Sequence, residues 1–276
     1  MKPLSVLLAF FLTVLLSSYS KPKTLWVAIG DSITYLNEHP EETDHRITKG
    51  YMTRIKEKFP YVEYYNQGHN GWTVIQIAEA FDKLGVQKAD IYSIFLGTND
   101  WWHGNTLGSL DDYKNSTGHA TVMGAFRTIV NKIKDINPKA TIVLITPMQR
   151  GDFVYINDFN NNAVGSYKEK NGQKLSSFAE AIKQIGQLEH LEVIDLYHDP
   201  LLSVEHAVKF KWLRDPRSGV YNRYKFPEYT YITFNPGKDE YPYPKSAMDM
   251  TYDGLHPSDA GYKEIAKVLE PVFKKF

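Results

Sequence analysis

Two short stretches of this sequence hold side chains suited to nucleophilic chemistry. Gly30-Asp31-Ser32 follows the unbroken apolar run Leu25-Trp26-Val27-Ala28-Ile29, and Asp253-Gly254-Leu255-His256-Pro257 lies near the C-terminal end. An apolar run without alternation reads as a buried parallel strand ending in a tight turn. A serine just past the C-terminal end of such a strand sits where open α/β sheets bind ligands, and a helix starting there offers N–H groups to a negative oxygen. Ser32 is therefore a candidate nucleophile, although Gly-Asp-Ser alone reads better as a turn with a serine helix cap. An aspartate and a histidine three residues apart in a turn can face the same way. Asp253 can then hold one imidazole nitrogen of His256 while the other addresses a serine hydroxyl. Histidine is the side chain best matched to taking a hydroxyl proton and returning it. Taken alone, this pair too could be a plain Asp-Gly turn before a helix.

Acyl transfer also needs donors aimed at a developing oxyanion. The backbone N–H of Ser32, the N–H of a loop glycine and the side-chain amide of Asn99 could supply three. Gly71 is the first choice, because a residue without Cβ lets the backbone approach a ligand closely; Gly68 is the alternative. Asn66 can order that loop by bonding its own backbone. Trp72 follows the glycine, and Trp101, Trp102 and His103 follow Asn99. These tryptophans are candidate substrate-binding residues, since aromatic faces pack on sugar C–H faces. His39 and His45 stand among carboxylates without metal-ligand spacing, so a solvated loop is expected there and no metal.

The elements that must hold these residues alternate along the chain. Strands are expected at Leu25–Ile29, Val62–Tyr65, Ile91–Leu96, Thr141–Thr146 and Leu191–Leu196. Helices are expected at Gly50–Phe59, from Thr73 with Ile77, Ala80, Phe81 and Leu84 on one face, at Thr121–Ile136, at Lys174–Gln187, and from Pro257 to the end. Asn137-Pro138 stops the third of these. Such alternation predicts an α/β fold with a doubly wound parallel sheet of about five strands and helices on both faces. Right-handed crossovers put the C-terminal strand ends, and hence the loops at Ser32, Gly71, Asn99 and Pro147, on one rim. Tyr197–Thr251, rich in tyrosine, proline, lysine and aspartate, breaks the alternation. A structureless loop of that length is improbable, so an ordered insertion leaning over the rim is expected, with Tyr229, Tyr231, Phe234, Tyr241 and Tyr243 as further aromatic candidates.

Composition narrows the function. The chain has 276 residues with 32 basic and 32 acidic side chains, enough for one sizeable domain. Balanced charge without a basic cluster argues against a nucleic-acid partner. Met1-Lys2, the apolar run Leu4–Leu16 and Ser17-Ser18-Tyr19-Ser20 form a signal-peptide pattern, with cleavage expected after Ser20. The apolar run is shorter than a membrane span of about 20 residues. No membrane span is expected once the signal is removed, leaving 21–276 as the mature domain in the periplasm or outside the cell. The sequence has no cysteine, so it offers no disulfide and no thiol nucleophile; an exported chain of this kind points to a bacterial source.

Taken together, the four blocks resemble those of the SGNH, or GDSL, hydrolases in order and in strand–loop context. Gly30-Asp31-Ser32-Ile33-Thr34 is similar to the nucleophile block, Asn66 through Gly71 to the glycine block, Gly97-Thr98-Asn99-Asp100 to the asparagine block, and Asp253-Gly254-Leu255-His256-Pro257 to the block of acid and base. The resemblance selects Gly71 over Gly68. It implies a three-layer α/β/α sandwich of the flavodoxin-like SGNH type and ester hydrolysis through an acyl-enzyme without a cofactor. Ser32 would attack, His256 would act as base and then acid, and Asp253 would orient it, with Ser32, Gly71 and Asn99 as the oxyanion hole. Asp31 would belong to the turn. An exported enzyme with aromatic residues around its rim looks like a carbohydrate esterase removing acetyl or other short acyl groups. A lysophospholipase, lipase or thioesterase is the alternative. A glycan- or protein-binding module without turnover is a third reading, but nucleophile and base are both present.

Overall fold

The computed structural model describes residues 22–276, so the expected signal peptide, residues 1–20, lies outside the described residues. In chain order the elements are β1 (Thr24–Gly30), α1 (Ser32–Tyr35), α2 (Tyr51–Lys58), β2 (Val62–Gly68), α3 (Val74–Ala80), β3 (Ile91–Phe95), α4 (Thr98–His103), α5 (Leu110–Lys114), α6 (Val122–Ile136) and β4 (Thr141–Ile145). The second half contains β5 (Phe153–Tyr155), β6 (Asp158–Ala163), α7 (Leu175–Glu189), β7 (Glu192–Ile194), α8 (Val204–Ala207), β8 (Lys211–Arg214), β9 (Tyr221–Tyr224) and α9 (Asp259–Phe273).

Five parallel strands form the central sheet in the order β2-β1-β3-β4-β7. The side-chain period of two sorts β1 between two cores. Val27 and Ile29 pack with α3, α6 and α7, whereas Trp26 and Ala28 pack with α2 and α9 on the other face. Both faces are thus buried by helices, which is why the strands carry near-continuous apolar runs. Helix boundaries follow local capping. Thr73 closes a capping box with Gln76, Thr121 accepts from Gly124 N–H, and Asn137, before Pro138, ends α6 in an extended conformation. The five strands of the sheet, the helices α2, α3, α6, α7 and α9 and the two flanking layers are those read from the sequence, whereas Trp101, Trp102 and His103, read as a loop after Asn99, lie in α4.

β1 lies between β2 and β3, so the chain leaves β1 in one direction and returns on its other side at β3. That reversal is the topological switch point, where open α/β sheets have their ligand crevice. Ser32 follows β1 and Asn99 follows β3, one on each side of it.

Two further features depart from expectation. First, a hairpin, β5–β6, intervenes between β4 and α7. The strand Asp158-Phe159-Asn160-Asn161-Asn162-Ala163 is poor in β-branched residues, so neither propensity nor alternation marks it. Second, residues 197–251 carry short elements of their own, but most of the aromatic candidates there pack inward, Tyr231 alone of the five standing exposed. Tyr229 and Tyr243 are fully buried in a small cluster with Val154, Val208 and Leu213, against which Phe234 and Tyr241 also pack. This segment props the hairpin from behind: Lys211 Nζ pairs with Asp152 at 2.8 Å and the Tyr243 hydroxyl donates to the Asp152 carbonyl. Among the described residues, no helix is long and apolar enough to cross a membrane.

Candidate active site

Ser32 is the first residue of α1. Asp31 precedes it as the N-cap, its carboxylate accepting from Ile33 N–H at 3.0 Å. Burial pushes the Asp31 carboxyl up to about 6, against the pull of that N–H and of the nearby His256 charge. Being first in its helix, Ser32 has no intrahelical acceptor for its own N–H, which is left for an incoming group.

His256 reaches Ser32 from the turn before α9. Its Nε2 is 2.8 Å from Ser32 Oγ, and its Nδ1 is 2.7 Å from Asp253 Oδ2. A carboxylate only accepts, so the partners assign the ring proton to Nδ1 and leave Nε2 as the acceptor for the serine hydroxyl. Asp253 is fixed in turn, since Oδ1 accepts from the N–H groups of Leu255 at 3.0 Å and His256 at 2.7 Å. Both side chains are nearly sealed from solvent, with Asp253 1% and His256 8% exposed. The imidazole is held between Tyr252, stacked at 5.8 Å, and Phe153, edge-on at 5.3 Å. Gly254 makes the tight turn possible. Its φ is +90°, and a Cβ there would lie 1.8 Å from the Asp152 carbonyl oxygen.

The glycine and asparagine loops are tied to one another. Asn99 Nδ2 donates to the Trp72 carbonyl at 3.0 Å, and Asp100 Oδ2 accepts from Val74 N–H at 2.9 Å. One amide hydrogen of Asn99 is thus used in bracing, and the second is left to donate. Burial raises the Asp100 carboxyl above its ordinary range. Gly71 has φ +74°, with nothing near the position of a Cβ, and borders the same cavity as Ser32 and Asn99. Gly68 has its N–H engaged by Asn66 Oδ1 at 2.9 Å, and Asn66 Nδ2 also donates to the Thr34 carbonyl at 3.2 Å. Asn66 therefore orders the loop.

The cavity in front of Ser32 has a volume of about 380 Å³. Its wall comes from the rim loops and from the β5–β6 hairpin through Phe153, Tyr155, Asn161 and Ala163. Residues 197–251, expected to lean over this rim, contribute nothing to its lining, because the hairpin stands between. Of the three tryptophans expected to bind substrate, only Trp102 borders the cavity. Trp101 is fully buried in the α6 and α7 core, its indole N–H donating to the Gln173 carbonyl at 3.0 Å. Adjacent helical residues point about 100° apart, so of Trp101 and Trp102 only one can face the cavity. Trp72 stacks on His69 at 4.6 Å and packs against the same core. Only its carbonyl, bound to Asn99, serves the site.

Sequence reasoning missed Phe153 and Arg150. The clue for Arg150 was its place just after Pro147, on the rim already inferred. His39, Glu41 and Glu42, of the loop read as solvated and metal-free, have ligand atoms within 4.8 Å of one another, a group that does not include His45. His39 Nδ1 bonds Glu41 at 3.1 Å and Glu42 accepts from the Tyr35 hydroxyl at 2.7 Å.

The sequence matches the GDSL-like lipase/acylhydrolase family over residues 28–264. No curated protein matches it. The fold is similar to that of a "possible lipase" from Chitinophaga pinensis, 57% identical, with a TM-score of 0.91 over 92% of this chain and 98% of that one. A protein from Lactobacillus plantarum shares the fold at 20% identity and a TM-score of 0.61, over 92% and 98% of the two chains. So does a lipase/acylhydrolase from Enterococcus faecalis, at 18% identity and 0.50, over 91% and 96%. With the match running from within β1 into α9, the chain belongs to the GDSL-like lipase/acylhydrolase family and is an ester hydrolase.

Proposed function

We propose that Ser32 is the nucleophile, His256 the general base and then acid, and Asp253 the group that orients the imidazole. One observation carries this reading: an unbroken chain from Ser32 Oγ through His256 to Asp253, with distances of 2.8 and 2.7 Å, opening on the cavity. Ser32 Oγ attacks the ester carbonyl carbon as its proton passes to Nε2. The N–H groups of Ser32 and Gly71 and the amide of Asn99 receive the negative oxygen. On collapse the alcohol leaves with the proton from His256, and the acyl group stays on Ser32. Water, deprotonated by the same imidazole, then releases the acid and restores the hydroxyl.

The substrate in this reading is a short acyl ester, acetyl foremost, of a carbohydrate. The cavity's volume suits a small group, its wall offers Asn70, His103 and Asn161 to hydroxyls, and Trp102 gives an aromatic face. The signal-peptide pattern supports export to the periplasm or beyond. A lipase-type reading draws on Leu36, Phe153 and Leu255 in the same wall and on the name of the Chitinophaga relative.

The test is a fluorophosphonate label, followed by p-nitrophenyl esters from acetate to laurate and acetylated xylan, pectin and sialic acid. Wild type is expected to be labelled and Ser32→Ala not, with acetate and an acetylated sugar turned over fastest. Rates that climb with chain length while acetylated sugars stay intact would move the substrate to lipids. An unlabelled wild type without hydrolysis would leave the non-catalytic binding reading.

A further inference from the structure

Arg150 follows β4, is 1% exposed, and borders the same cavity as Ser32 and His256. Its Nε and Nη2 donate to the carbonyls of Gly151 and Ala163, each at a long 3.4 Å, and Nη1 donates to none of the described residues. The rings of Trp101 and Trp102 flank it at 5.8 and 5.7 Å. Among the described residues no carboxylate lies within 4.0 Å of this guanidinium. The acidic groups around it are hydrogen-bonded to other residues, although Asp152 and Asp253 still act on it through space. Asp152 is held by Lys211 and by the Tyr167 hydroxyl at 2.6 Å, Asp253 by His256, and Glu42, the one acidic residue of the lining, by Tyr35.

A buried charge without a counter-ion is unfavourable, and buried ion pairs tolerate the loss of a partner poorly. Burial pushes the Arg150 guanidinium down to about 10, which still leaves it a cation at neutral pH. Its planar fork matches the oxygens of carboxylates and phosphates. Asp152 and Asp253 act on it only through space, so the unbonded Nη1 of a guanidinium with no carboxylate in contact is left for something that enters the cavity beside an ester-cleaving serine.

We propose that Arg150 determines specificity by binding an anionic oxygen group, carboxylate or phosphate, carried by the ester substrate. The proposal rests on the esterase reading above and narrows it from sugars or lipids in general to acidic ones.

Calorimetry on the Ser32→Ala variant tests binding without turnover, with glucuronate against glucose and glycerol 3-phosphate against glycerol. At least one anion is expected to bind about 10- to 100-fold more tightly than its neutral partner, as for one buried charge-assisted hydrogen bond. Which anion does so separates a sugar acid from a phosphorylated headgroup. Arg150→Gln in the same background is expected to abolish the preference, and Arg150→Lys, which keeps the charge but not the fork, to retain part of it. A merely structural arginine would weaken all four ligands alike. Absent or equal binding of the four, or a preference that survives Arg150→Gln, overturns the proposal. Should Arg150→Gln not fold, the same compounds serve as competitive inhibitors of wild-type p-nitrophenyl acetate hydrolysis, and inhibition without preference for an anion is equally fatal. A wild type that hydrolyses no ester sinks the esterase reading alone, since the binding arm still decides the role of Arg150.

Discussion

Asp253→Asn is the substitution whose outcome the geometry restricts most. Asp253 Oδ1 accepts two backbone N–H groups, at 2.7 and 3.0 Å, while Oδ2 faces His256 Nδ1 at 2.7 Å. The site is 1% exposed, so the asparagine must keep its carbonyl oxygen against the two N–H donors. The reverse orientation would set an NH₂ group against both of them. Its NH₂ then points at Nδ1, which has to accept. The ring proton moves to Nε2, and the imidazole becomes a donor towards Ser32 Oγ at the moment a base is needed. The expected fall in kcat is about 10⁴, as for the wrong tautomer in a serine triad, or about 5.5 kcal/mol at 1.36 kcal/mol per decade. Stability should change by only about 1–2 kcal/mol, because one charge-assisted bond becomes a neutral one and nothing is left unpaired. Steady-state hydrolysis of p-nitrophenyl acetate and urea denaturation of the same preparation read both quantities. A fall of less than about tenfold in kcat with an unchanged urea midpoint would refute the assigned tautomer and the role of His256 as base.

Two further substitutions probe the frame around the site. Gly254→Ala places a Cβ 1.8 Å from the Asp152 carbonyl oxygen at φ +90°. The left-handed backbone costs about 1–2 kcal/mol and the backbone clash about 1–3 kcal/mol more, so urea denaturation should show a loss of about 2–5 kcal/mol; a loss below about 1 kcal/mol contradicts the packing of this turn on the hairpin. Asp31→Asn keeps the acceptor for Ile33 N–H but removes a buried titration. The Asp31 carboxyl stands at about 6 in the folded protein against 3.8 in the ordinary range, so the native state binds its proton more tightly than the unfolded chain. This contribution to stability is present below pH 3.8 and is lost as pH rises to about 6, a difference of up to about 3 kcal/mol. The variant should therefore gain stability over wild type at pH 7 but not at pH 4, and an equal difference at the two pH values would refute the buried, proton-retaining carboxyl.

The alternation of strands and helices, the turn residues at Gly30, Asn99 and Asp253 and the caps at Thr73 and Thr121 are local signals. The hydrophobic period and capping chemistry carry them within a few residues, so the five-stranded sheet and the identity of its rim loops were legible in the chain itself. The blocks holding Ser32, Gly71, Asn99, Asp253 and His256 were legible for the same reason, since each is a short motif on a strand end or helix start. Tertiary structure decided what those motifs face. Trp101 and Trp102 are neighbours in sequence, yet helical rotation buries one in the core and turns the other to the cavity. The β5–β6 hairpin has no periodicity to announce it, and Lys211 and Tyr243, far along the chain, hold Asp152 at its base. That hairpin takes the place expected of residues 197–251 at the cavity wall, brings Phe153 onto His256, and helps bury Arg150 with no carboxylate in contact. Long-range packing sets all three, and local residue order cannot encode it.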